Sequence, residues 1–177
     1  MKARLLLALL LGVLGAAVYG GTVLATPSVG LTTTIYAKST FDPMTLYARA
    51  MAMVPAARDG GMRPGEWFTQ IKTSGLTDAY VVDNKIAAGG DTGWHSHPGP
   101  SLIFVVAGTV TNYASDDPGC TPHAYPAGTG FVDPGGADVH TLRNEGSVPA
   151  ETIAVQFLPK DATRRIDVVT APSNCHI

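Results

Sequence analysis

The sequence is poor in charge: 15% of its 177 residues are charged, and 12 basic side chains stand against 14 acidic ones. A strong field of one sign, which draws proteins to nucleic acid, is therefore missing, and nucleic-acid binding is set aside. Cysteine is scarce. Cys120 and Cys175 are the only two, and they form no C-x-x-C pair, which argues against dithiol redox catalysis. No G-x-S-x-G elbow surrounds Ser101, which leads straight into an apolar run, so a serine nucleophile is also disfavoured. The glycine-rich stretch Gly128 to Gly136 is not followed by a helical pattern, which makes it turn chemistry rather than a phosphate loop. There is no internal repeat and no low-complexity tract.

What the chain does have is 45% hydrophobic residues, enough for one domain with a core of its own. Lys2 and Arg4 precede an apolar stretch from Leu5 to about Val18, and small residues follow from Gly20 to Ala25. This is the layout of an export signal, with cleavage expected before Thr26. As an alternative, Leu5 to Ala25 is long enough, at roughly 31 Å as a helix, to remain as a membrane anchor. Either way the rest of the chain is expected outside the cytoplasm. In an oxidising compartment, Cys120 and Cys175 are expected to form a disulfide. Closing a loop of about 55 residues would contribute roughly 4 kcal/mol in the chain-entropy model and pin the C-terminal tail to the domain. Two separate buried thiols are the other reading.

Beyond the first 25 residues the pattern is overwhelmingly that of strands. Apolar alternation bounded by turn residues predicts strands at Leu31 to Tyr36, Trp67 to Lys72, Ala79 to Ala87, Thr92 to His97, Ser101 to Tyr113, Thr129 to Val132, Val139 to Asn144 and Glu151 to Leu158. The 20 glycines and 13 prolines, with turns such as Pro134-Gly135-Gly136, indicate a sandwich or barrel. One short helix is expected from Asp42 to Val54, with Pro43 at its first turn and Pro55 ending it, although an edge strand would also accommodate these residues. Ala56 to Pro64 reads as a loop. The organisation expected is a signal or anchor over 1–25, an N-terminal extension over 26–66, and a β-barrel with its tail over 67–177.

The chemistry lies in the histidines. In a strand, His95 and His97 point to the same face, so two imidazoles can grip one ion. His140 begins another predicted strand after a glycine-rich turn and is the candidate third ligand. His123, in a proline-rich loop, and His176, next to the last residue, have no assigned role. The spacing resembles the cupin superfamily. Gly89, five residues, His95-Ser96-His97, three residues, Ser101, six residues and Gly108 follow its first motif, with Ser101 where that motif carries glutamate. Gly128, Pro134, Gly136, His140 and Asn144 follow its second, with one extra residue between Gly136 and His140.

The resemblance implies an all-β, jelly-roll-like barrel, the double-stranded β-helix, with His95, His97 and His140 around one divalent transition metal: iron, manganese, nickel, copper or zinc. Without the motif glutamate, three neutral imidazoles would leave the ion's charge unmatched in an apolar barrel. The expected partner is therefore a small anionic molecule on the metal, with Ser101 contacting that substrate, bonding a metal-bound water, or filling the vacated space. An oxygenase acting on such an anion, or a non-catalytic binding or sensing module, are the two function classes. A homodimer is the assembly expected. Asp138 reads as a solvated loop carboxylate in preference to a group orienting His140. Asn144 is expected to stabilise a turn or strand end, and Ile103, Val105, Phe131 and Val132 to line the core or pocket.

Overall fold

The computed structural model describes residues 26–56 and 61–177. The expected signal or anchor segment, 1–25, lies outside the described residues, as do positions 57–60 of the expected loop. Among the described residues there are twelve strands and no helix: β1 (Val29–Phe41), β2 (Thr45–Pro55), β3 (Met62–Lys72), β4 (Thr77–Asp91), β5 (His95–Ser96), β6 (Ser101–Ala107), β7 (Thr109–Ala114), β8 (His123–Pro126), β9 (Gly130–Asp133), β10 (His140–Arg143), β11 (Ala150–Pro159) and β12 (Ile166–Asp167). Ten of them make one antiparallel sheet that curls into a double-stranded β-helix barrel, in the path β12-β5-β10-β4-β11-β6-β9, with β1 added on β4 and the β7-β8 hairpin added on β10. None of the described residues forms a helix long and apolar enough to cross a membrane.

Strand alternation determines what is inside. In β11, alternate residues from Ala150 to Leu158 are buried, and β6 buries Ser101, Ile103 and Val105 while Leu102, Phe104 and Val106 face out. Tyr80, Val82, Ile103, Ala154 and Leu158 form one core cluster, and Ile86, Val105, Val110, Leu142 and Ala150 a second, with Phe131 packed on both. Val132, expected in the core or pocket, is 61% exposed, because it alternates with the inward Phe131. The run predicted as one strand from Ser101 to Tyr113 breaks at Gly108, where φ is +66° and a Cβ would meet the Pro149 carbonyl at 2.7 Å. Asn144 ties a strand end as expected: its amide donates to the carbonyls of Ile86, Ala87 and Val148.

The helix expected from Asp42 to Val54 is not formed. β2 occupies those residues and pairs along its whole length with β3, from Thr45 opposite Lys72 to Pro55 opposite Met62. Its alanines and methionines suit either conformation, and pairing with β3 decides for the strand. β1 is longer than expected and pairs with β4 along most of its length, from Thr77 to Asp91. Lys38 of β1 reaches Asp78 of β4 at 2.8 Å, and this contact with the Thr40 hydroxyl holds the Asp78 carboxyl down to about 2.

Cys120 and Cys175 are disulfide-bonded, with Cα atoms 5.2 Å apart. Cys175 packs with Trp94 and Tyr113, so the tail is fastened beside the residue that precedes His95. Asn174 strengthens the strap by donating to the carbonyls of Ser115 and Asp117.

Candidate metal centre

His95, His97 and His140 converge inside one end of the barrel. His140 opens β10 and pairs in register with His95 of β5, and their rings lie 4.6 Å apart. His97 follows β5, its ring 4.9 Å from that of His95. One ring nitrogen from each comes within 4.8 Å of the others, close enough to share an ion, and all three residues are buried.

Two turns bring these histidines together. A Cβ on Gly135 (φ +71°) would sit 2.2 Å from the Gly99 carbonyl oxygen, so the Pro134-Gly135-Gly136 turn lies directly on Pro98-Gly99-Pro100. The Gly136 amide then donates to the His97 carbonyl at 2.7 Å. The two glycine-proline turns read separately in the sequence are thus one contact, and it locks the approach to His97 against that to His140.

The hydrogen bonds select the ring nitrogens. Nδ1 of His95 donates to the Gly93 carbonyl at 2.8 Å, and Nδ1 of His97 donates to the Arg164 carbonyl at 2.6 Å. A carbonyl can only accept, so both rings carry their proton on Nδ1 and present a lone pair on Nε2. Burial, with positive neighbours added, pushes the proton affinity of His95 far below its ordinary value, and burial also lowers that of His97. Nδ1 of His140 is buried and has no hydrogen-bond partner. Neutral imidazoles with committed Nδ1 atoms, together with an orphaned buried nitrogen, are the donor set that a divalent transition metal requires.

The sequence reading did not single out Asp133, Arg164 or Gln156. Asp133, the last residue of β9, is 3% exposed, with Oδ2 3.9 Å from His97 Nε2 and Oδ1 3.9 Å from His140 Nδ1. Asp138 comes within 3.5 Å of His140 Nδ1, so it faces the imidazole rather than standing as a solvated loop carboxylate. Arg164 lies half-buried on the wall of the same cavity, with burial lowering the proton affinity of its guanidinium. Ser101 is fully buried. Its hydroxyl donates to Asp133 Oδ2 at 3.2 Å and accepts from Gln156 Nε2 at 3.1 Å, while Gln156 Oε1 accepts from Arg164. The only local sign of Asp133 in the sequence was an acid closing an apolar run before Pro134, which reads as a turn residue. It fills that role too, accepting from the Gly135 amide.

His123 lies on exposed β8 and His176 in the exposed tail, so neither joins the centre. The cavity bounded by the three histidines, Asp133, Gln156, Arg164 and Arg165 has a volume of about 40 Å³. At about 10–15 Å³ for one water on this measure, it admits a few water-sized groups.

No curated protein matches the chain. Among solved structures, the chain is similar to the polyketide cyclase RemF from Streptomyces resistomycificus (14% identity, covering 54% of this chain and 64% of that one, TM-score 0.44). It is also similar to an oxalate oxidase (25% identity, 50% and 45%, TM-score 0.42). A third is an uncharacterized conserved protein with a double-stranded β-helix domain from Klebsiella pneumoniae (16% identity, 72% and 84%, TM-score 0.44). The chain spans less than two thirds of the first two. The family model for the cupin domain matches residues 84–156, from the middle of β4 to Gln156, and encloses all three converging histidines. This chain carries a cupin domain.

Proposed function

We propose that His95, His97 and His140 hold one divalent transition metal, and that the centre binds a small carboxylate or similar anion in an exported protein. The observation that carries the anion is Arg164. Its guanidinium lines the same cavity, and among the described residues no carboxylate pairs with it. A half-buried cation without a counter-ion is costly, and its planar fork matches a carboxylate. With the metal's two charges and one from Arg164 set against Asp133 and Asp138, the pocket keeps a net positive charge of about one, which an anionic ligand would offset. The small cavity restricts that ligand to a few heavy atoms. The disulfide supports an extracytoplasmic location.

A bound ion would supply Lewis acidity and, if redox-active, access to dioxygen chemistry. The protein's own contribution is to keep His95 and His97 neutral with Nε2 free, exclude bulk water and hold the ligand's charge against Arg164. Enzymatic oxidation of the anion is our first reading, and capture without turnover the second. Oxygen uptake during incubation with a panel of small carboxylates separates them.

The purified protein is expected to contain stoichiometric metal, and His140→Ala to lose it; a His140→Ala protein that keeps its full complement would rule the centre out. Titrating the metal-loaded protein with acetate and with acetamide tests the anion. Acetate is expected to bind at least about tenfold more tightly, and Arg164→Met to remove most of that preference, since a charge-assisted hydrogen bond contributes roughly 1.5–3 kcal/mol. Equal binding of the two probes would exclude an anion site.

A further inference from the structure

The geometry points to Asp133 as the anionic donor of the metal centre, delivered from β9 in place of a carboxylate on β6. This rests on the three-histidine metal site proposed above. Asp133 and Ser101 are direct partners in the β6–β9 ladder, so their side chains leave the sheet side by side on the same face. A carboxylate at either position reaches the same volume. The serine is short enough to leave that volume to its neighbour.

Three observations make Asp133 a ligand rather than a buried turn residue. Among the described residues no lysine or arginine pairs with it, so a carboxylate 3% exposed has only imidazoles as potential cationic neighbours. Its two oxygens stand at 3.9 Å from one nitrogen each of His97 and His140, and donors sharing an ion at about 2.1 Å lie roughly 3.0–3.4 Å apart, so a shift below about 1 Å suffices. The nitrogen it faces on His140 is the orphaned, buried Nδ1. The chain of donors from Arg164 through Gln156 and Ser101 ends on Oδ2 and holds the carboxylate in place. Ser101 thus acts as a positioning residue.

The test is cobalt(II) affinity, with the absorption spectrum of the bound ion as a second readout, in the wild-type protein, Asp133→Asn, His140→Ala and the exchange variant Ser101→Glu/Asp133→Ser. Asp133→Asn keeps the shape and the bond to Ser101, and is expected to weaken cobalt binding by about 10- to 100-fold and alter the spectrum. The exchange variant is expected to recover affinity to within a few-fold of wild type, because the carboxylate returns to the same volume from the other strand. Unchanged affinity in Asp133→Asn with loss in His140→Ala would overturn Asp133 as donor and leave the histidine centre standing. Absence of cobalt binding by the wild-type protein would remove both.

Discussion

Acidifying the metal-free protein from about pH 6.5 to about pH 4.5 is expected to remove roughly 2 kcal/mol of stability through His95 alone, with His97 adding in the same direction. The cause is burial, which holds both imidazoles neutral in the folded state and lowers their proton affinity from the ordinary 6.5. The unfolded chain takes up a proton on each below that pH, and the folded chain does not. Stability from this source is therefore complete above about 6.5 and falls with decreasing pH, at about 1.4 kcal/mol per unit for each histidine. The window is chosen to isolate them. The carboxyls that the fold perturbs, Asp78, Asp117 and Glu145, have ordinary values of 3.8 to 4.5 and are lowered further, so their losses come at lower pH. Urea midpoints across the window, in the presence of a chelator, are the measurement. A flat profile would show that the site is wet or the rings already protonated.

Metal is expected to produce the other large effect. A ligand that binds only the folded state at about 1,000 times its dissociation constant stabilises it by about 4 kcal/mol, and for a domain of this size each kcal/mol moves the melting temperature by about 2–4 °C. Adding the cognate ion should therefore raise the melting temperature by roughly 8–16 °C, and chelation should reverse the rise. His140→Ala should melt at one temperature with or without metal. The contrast is sharp because the donor set is complete only in the fold: His95 and His97 are local neighbours, whereas His140 arrives through its register opposite His95. A variant lacking His140 that kept the full thermal response would place the ion elsewhere. The two effects are linked, since an ion on Nε2 competes with the proton, so metal should also shift the acid transition downward.

The Asp42 to Val54 segment shows where local pattern stops informing. A short apolar stretch with alanine and methionine satisfies a helical stripe as well as a strand, and the pairing of β2 with β3 resolves it. The alternation of β11 was readable because one face is buried and the other is not. The alternation of β6 was not, because its outward positions are apolar as well.

The sequence by itself pointed to the strand-rich barrel, the His95-x-His97 pair, His140 as the candidate third ligand, the Cys120–Cys175 link and the strand-end role of Asn144. Each depends on spacing along one strand or turn, or on residue types with few alternatives. The tertiary structure alone decided the electrostatics of the site. Asp133 stands 32 residues from Ser101 and meets it through the β6–β9 register. Arg164 reaches the cavity because the segment after β11 returns over it, giving its carbonyl to His97 and its guanidinium to Gln156. The glutamate missing at Ser101 looked like a charge left for a ligand to supply. Strand pairing places a carboxylate beside it, because register is a property of two strands and is written in neither of them.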